Sequence, residues 1–420
     1  MNFYVDDYIK DDITKGINEC ISAASGKGIV IFSKNKEYKT KTINLLSNTT
    51  LYLEENSKII LDTSMIEKEK GLDVPSWQNC DYNGNPKYYF IYGKDLENIK
   101  IDGLGSIVGS EEYFYGNITK YHIEGSFYPR VPMIYLENCL NIEIKNVTLT
   151  KSGFWTVHLV GSKNILIDSI KILNNRIFTN TDGIDPDSSK NIVIRNCYIE
   201  AADDAIVLKT TKNNDKYGCI SNVEVYNNTL ISTSAAIKIG TESNRDFNDI
   251  YFHDNKIIDS NRGISIQLRD GASISNLVFE NIEIKTHRFH PLEWWGKGEG
   301  IFLSNIKRYD DSKLGSMKNI SFKNIKIEAE SGIILNGVNN INFENIDLNL
   351  KKITEYDSNT FDIRPTYIMN EPFKDTFNLI NIKNSNNIIF NNFKYNIDDN
   401  IKDLIDSNVS INNSTDINFK

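Results

Sequence analysis

The sequence predicts an all-β fold, a right-handed parallel β-helix (solenoid) with an N-terminal capping helix. Two registers of repetition and one amphipathic segment carry that prediction. In the first register, phrases of the form Asn-Ile-x-Ile-x-Asn recur along the 420 residues, beginning at Asn98, Asn141, Asn164, Asn191 and Asn222. Further copies begin at Asp249, Asn276, Asn319, Asn340 and Asn387, and from Asn164 to Asn276 the steps are 27, 31, 27 and 27 residues. Ile or Val alternating with polar residues marks a half-buried strand, and Asn between strands suits tight turns with left-handed backbone. A period of this size means a solenoid or a propeller. A propeller needs four strands and hairpin turns in each blade. Asn-Gly and Asp-Gly turns are mostly absent here, and each repeat holds two or three short strands, so the solenoid fits better.

The second register follows a small residue with Ile or Val in each coil. It reads Trp155-Thr156-Val157-His158, Asp182-Gly183-Ile184-Asp185, Asp204-Ala205-Ile206-Val207 and Ala235-Ala236-Ile237-Lys238. It continues as Arg262-Gly263-Ile264-Ser265, Glu299-Gly300-Ile301-Phe302 and Ser331-Gly332-Ile333-Ile334. Strands of successive coils stack about 4.8 Å apart. The leading residues Trp155, Asp182, Asp204, Ala235, Arg262 and Glu299 are therefore expected to form a ladder along one edge. On it Asp182 and Asp204 are adjacent rungs, with Asp203 beside them.

Before the coils, Asp12 is placed to cap a helix whose Ile13, Ile17, Cys20, Ile21 and Ala24 share one face. Gly26-Lys27-Gly28 ends it and Ile29-Val30-Ile31-Phe32 begins the strands. Such a helix covers the open end of a solenoid core. The whole chain, 1–420, reads as a single β-helix domain. Residues 1–60 form the cap and first strands, 61–350 the coils that carry a cleft, and 351–420 the C-terminal coils. Irregular stretches at 62–92, 285–300 and 351–378 interrupt the repeat, and long loops in a regular scaffold are usually functional.

Composition narrows the class. With 40% hydrophobic and 25% charged residues the chain is that of a folded protein. A net charge of −9 argues against nucleic acid or an anionic membrane as partner. No apolar run is long enough to span a bilayer, and the N-terminal residues show no basic segment followed by an apolar one, so a cytoplasmic location is expected. The five cysteines, Cys20, Cys80, Cys139, Cys197 and Cys219, have no metal or disulfide spacing and read as small buried residues. No cofactor is expected, and oligomeric state leaves no mark.

Asp203 and Asp204 follow Asp182 by 21 and 22 residues, about one turn of the repeat. Clustered carboxylates of this kind supply a proton donor and a base in glycoside hydrolysis. The plainer alternative is that they are turn residues bonding their own backbone. Acids packed together without a cation repel, which raises at least one pKa and suits a donor. Asp185 is either an orienting group or a strand-end acid, and Asp187 is expected to be solvated. Trp155 and His158 either line the cleft or pack in the core. In the loop Trp294-Trp295-Gly296-Lys297-Gly298-Glu299 the flat aromatics suit the apolar faces of sugars, and Glu299 ends it on the ladder. His287, His290 and Glu293 are too loosely spaced to be taken as metal ligands.

The chain resembles glycoside hydrolase family 28, the polygalacturonase-like enzymes, over roughly residues 10–350. The likeness lies in Ile101-Asp102-Gly103-Leu104-Gly105-Ser106, Arg130-Val131-Pro132, Gly153-Phe154-Trp155-Thr156-Val157-His158, Asn180-Thr181-Asp182-Gly183-Ile184-Asp185 and the Asp203-Asp204 pair. It implies that Asp203 is the general acid, that Asp182 and Asp204 hold and deprotonate a water, and that the anomeric centre inverts. Two family motifs are changed. Its Gly-His-Gly falls at Ser234-Ala235-Ala236 and its Arg-Ile-Lys at Ser265-Ile266-Gln267, so the cations that bind a galacturonate carboxylate are gone. Lys238, Arg262 and Arg269 stand nearby, either as substrate ligands or in salt bridges to Glu242, Glu299 or an aspartate. The expected function is an inverting hydrolase of a pectin-like or related oligosaccharide, acting from a chain end. The alternatives are a β-helical lyase or epimerase, with Asp182, Asp185 and Asp204 on Ca²⁺, and a non-catalytic carbohydrate-binding β-helix.

Overall fold

The Asn-Ile-x-Ile phrase does become a strand, and its Asn becomes a left-handed corner. A computed structural model of the chain describes residues 1–67, 86–127, 129–289, 296–356, 378–405 and 407–420. They form two compact units, Met1–Ala202 and Asp203–Lys420.

In the first unit the helix Ile13–Ala24 starts where Asp12 accepts a hydrogen bond from the Lys15 amide, and Ile17, Cys20, Ile21 and Ala24 are buried. After it, strands Glu97–Gly103, Leu140–Lys145, Lys163–Asp168 and Lys190–Arg195 pair in parallel. Ile99, Ile142, Ile165 and Ile192 fall in one column and Ile101, Ile144, Ile167 and Ile194 in the next, all buried. Each such isoleucine contributes roughly 1.5–3 kcal/mol by leaving water. Asn98, Asn141, Asn164 and Asn191 all have φ between 56° and 59°. Each later Asn donates its side-chain amide to the Oδ1 of the one before, at 2.9 Å. Asn is thus selected twice, for a tolerated positive φ and for the ladder. A second series pairs Ile91–Lys94, Ile134–Glu137, Val157–Val160 and Ile184–Asp187.

The second unit repeats the plan with longer strands. Phe247–His253, Ser273–Thr286, Ser316–Ala329, Asn339–Leu350, Asn386–Ile397 and Thr415–Phe419 pair in parallel. Phe252, Phe279, Phe322, Phe343, Phe390 and Phe419 stack through the strands with ring centroids 4.5–5.1 Å apart. The accompanying series is Ile206–Thr210, Ala235–Ser243, Arg262–Leu268, Glu299–Asn305, Ser331–Asn336, Ile380–Lys383 and Val409–Asn412. Parallel strands of successive coils, stacked by like residues, make this a parallel β-helix.

Cys20, Cys139 and Cys197 are buried thiols, which burial pushes up to about 12, 11 and 12, and Cys219 is half-buried. Cys80 lies outside the described residues. Among those described, no helix is long and apolar enough to cross a membrane.

Candidate active site

In the second series the strands Ile134–Glu137, Val157–Val160, Ile184–Asp187, Ile206–Thr210 and Arg262–Leu268 are buried on both faces, and this places the candidate residues. In the first unit Val157 pairs with Ile184 and His158 with Asp185, while the Thr156 amide donates to the Asp182 carbonyl at 2.9 Å. Trp155 and Asp182 are therefore consecutive rungs, as the ladder requires. Asp182 follows a turn in which Asn180 has φ 57° and the Thr181 hydroxyl donates to the Phe178 carbonyl. Arg130 pins that turn. Its guanidinium donates to the carbonyls of Gly153 and Thr179, at 2.7 and 2.5 Å, and lies 4.2 Å over the Phe178 ring. Arg130 so fixes the segments leading to both Trp155 and Asp182. The Arg130-Val131-Pro132 motif pointed to it, but its partners lie 23 and 49 residues away, and no local pattern names them.

Asp182, Asp185 and His158 are buried, and Trp155, also buried, stacks on Phe154. His158 stands edge-on to Trp155 and Tyr135, with centroids at 4.8 and 5.1 Å. Its Nε2 lies 3.5 Å from Asp187 Oδ2. Asp187 is fully buried, which corrects the expectation that it is solvated: the strand Ile184–Asp187 exposes neither face.

In the second unit Asp204 leads the ladder. Ile206 pairs with Ile237, so Asp204 lies level with Ala235, and Ala235 pairs with Arg262. Glu299 then pairs with Ser331. Asp203 and Asp204 are both buried. The Asp203 carbonyl accepts the Ser232 hydroxyl at 2.6 Å, and its Oδ1 accepts the Asp204 amide at 3.1 Å. Both oxygens of Asp204 are engaged: Oδ1 accepts the Ser234 hydroxyl at 2.9 Å and Oδ2 the Lys238 ammonium at 2.8 Å. Asp204 is therefore not free of a cation, contrary to the expectation of acids packed without one.

Arg262 forms the salt bridge weighed as the alternative to substrate contact. It donates to Glu299 through Nε at 3.2 Å and Nη2 at 3.1 Å, and its guanidinium lies 3.9 Å over the Phe302 ring. The Lys297 amide adds a bond to Glu299 at 2.7 Å. Arg269 is buried and donates to the Leu268 carbonyl and to the Ser304 hydroxyl. Two further cations, Lys209 and Arg308, were not singled out by sequence. Burial works to raise the pKa of Glu242, but Lys209, Arg308 and Lys238 outweigh it and hold the carboxyl at about 2. His287 is bonded to Asp259 at 2.5 Å. Trp294, Trp295, His290 and Glu293 lie outside the described residues.

The chain is similar to known proteins in both sequence and fold. A probable polygalacturonase of Vitis vinifera is 27% identical over 326 residues, which is 75% of this chain and 64% of that protein. The matched region thus covers less than two thirds of that relative. Two exopolygalacturonase structures share the fold. That from Thermotoga maritima has TM-score 0.65 at 18% identity, covering 84% of this chain and 88% of its own. That from Yersinia enterocolitica has TM-score 0.68 at 13% identity, covering 99% and 78%. The family model for glycosyl hydrolases family 28 matches residues 39–292. With more than half of its length under that match, the chain belongs to glycosyl hydrolases family 28.

Proposed function

We propose that the protein hydrolyses glycosidic bonds of a pectin-like or related oligosaccharide, with inversion, releasing sugars from a chain end. Asp203 is the general acid, and Asp182 and Asp204 hold and deprotonate the attacking water. The observation that carries this reading is the state of Asp204: a hydroxyl and an ammonium both donate to its carboxylate, so it serves as an acceptor and leaves the donor role to Asp203. In this reading one carboxyl protonates the leaving oxygen while the others deliver a water to the anomeric carbon, which inverts it. The reading is supported by family membership and by the similarity to a probable polygalacturonase of Vitis vinifera.

Lys238, Arg262 and Arg269 all have protein partners, so the substrate is recognised less through a single exposed cation than through the walls of the cleft. Trp294 and Trp295, which lie outside the described residues, are the aromatics assigned to sugar contact. A Ca²⁺-dependent lyase is disfavoured by charge, because the Lys238 ammonium already occupies Oδ2 of Asp204.

Short galacturonan, rhamnogalacturonan and neutral oligosaccharides, followed by chromatography and by NMR of the first-formed anomer, test the proposal. Single sugars of inverted configuration from one class are expected. Products with ultraviolet-absorbing double bonds would instead identify elimination.

A further inference from the structure

We infer that Lys238 is a positioning residue, which acts through Asp204 and does not contact substrate; this rests on the reading of Asp204 as a base. Lys238 lies on the outward column Val207, Lys238, Ser265 and Phe302 of the second unit. Its side chain is only 5% exposed. An ammonium that far from water costs several kcal/mol unless an anion compensates it. Two anions do so, and they differ. Glu242 is held by Lys209 and Arg308 as well, so it keeps two cations without Lys238. Asp204, among the described residues, has one ammonium and the Ser234 hydroxyl. The hydroxyl of Ser265, the register partner of Lys238, is buried with no hydrogen bond among the described residues and supplies Asp204 with nothing.

Loss of Lys238 therefore falls on Asp204. A buried carboxylate left with one neutral donor swings away from Ser234 toward water, and that removes the base. The cost is in turnover, since binding of the sugar does not use the lysine. Ala235 lies level with Asp204 and offers no polar group that substitutes for it.

The test compares wild type, Lys238→Met, Lys238→Gln, Lys238→Arg, Asp204→Asn and the Lys238→Met/Asp204→Asn double variant. The substrate is trigalacturonate, or the panel oligosaccharide that the wild type hydrolyses fastest. Lys238→Met is expected to lower kcat about 100-fold or more, the size of a lost general base, with KM within about threefold. Lys238→Arg restores most of the loss, and the double variant is no slower than Asp204→Asn. A raised KM with kcat unchanged, or multiplicative losses in the double variant, would overturn the inference. Near wild-type turnover in Asp204→Asn would overturn the reading of Asp204 instead, which keeps the two failures apart. Lys238→Gln retains a neutral donor and serves if the Met variant does not fold. A crystal structure of Lys238→Gln decides without activity: the Asp204 carboxylate displaced from the Ser234 hydroxyl supports the inference, and an unmoved carboxylate contradicts it.

Discussion

The two strand series of this protein obey opposite rules of burial. The series that carries the Asn-Ile-x-Ile phrase alternates: in Lys163–Asp168 and Lys190–Arg195 the isoleucines point inward and the residues between them stay at least partly in water. The accompanying series, in Ile184–Asp187, Ile206–Thr210 and Arg262–Leu268, has no exposed position. The first therefore needs only apolar columns and Asn corners. The second must bury Asp187, Lys238 and Arg262, and it does so with ion pairs and hydrogen bonds. Burying unpaired charge is costly, and satisfying it inside a rigid sheet fixes where each charge points. The alternating series is built for stability, and on the proposed function the buried strands carry the chemistry.

If that division is right, damage should differ in kind between the series. The largest loss of stability is expected at Phe322, in the middle of the phenylalanine stack. Phe322→Ala should cost about 3–5 kcal/mol in denaturant unfolding, from the lost transfer and the cavity. In the buried series the matching test is the Arg262–Glu299 pair. Arg262→Met alone strands a buried carboxylate and should cost about 3–5 kcal/mol, whereas Arg262→Met with Glu299→Gln should recover a large part. Equal loss in single and double variants would show that the pair is not compensating charge.

Glu111 sharpens the contrast, because it is a buried acid without a salt bridge of that quality. Burial raises its pKa to about 7, against the Tyr115 and Asn175 hydrogen bonds that lower it. Its unfolded pKa is lower, so between about pH 4.5 and 7 the folded state binds more protons and stability falls as pH rises. The difference is of the order of 3 kcal/mol. Glu111→Gln should flatten the melting temperature across that range, and a variant that keeps the wild-type slope would contradict the assignment.

The smallest effect belongs to the asparagine corners. Asn164 has φ 57° and is bonded on both sides, to Asn141 and Asn191. Asn164→Ala should cost about 1–2 kcal/mol, for the left-handed backbone and the lost bonds. Asn164→Gly recovers the backbone part.

This contrast also explains what was legible in the sequence. The alternating series was readable because strand period, corner residue and column repeat together in Asn98, Asn141, Asn164 and Asn191. The ladder was readable too, since Val157, Ile184, Ile206, Ile237 and Ile264 mark its register. The ion pairs were not. Which acid takes Lys238, and which Arg262, depends on side-chain reach between coils, and composition offered several partners for each. Asp187 was misread as solvated because an outward position normally meets water, and here the outward face is closed. Lys209 and Arg308 escaped notice because neither lies in a repeated phrase; their partner Glu242 joins them only in three dimensions.

The most direct test of the central claim is the turnover of Asp203→Asn on the oligosaccharide that the wild type cleaves, measured beside its melting temperature. The account predicts a loss of about 10²–10⁴ in kcat with the fold intact, because a proton donor is removed and the Asp204 amide keeps an acceptor. Turnover near that of the wild type in a folded Asp203→Asn protein would contradict it.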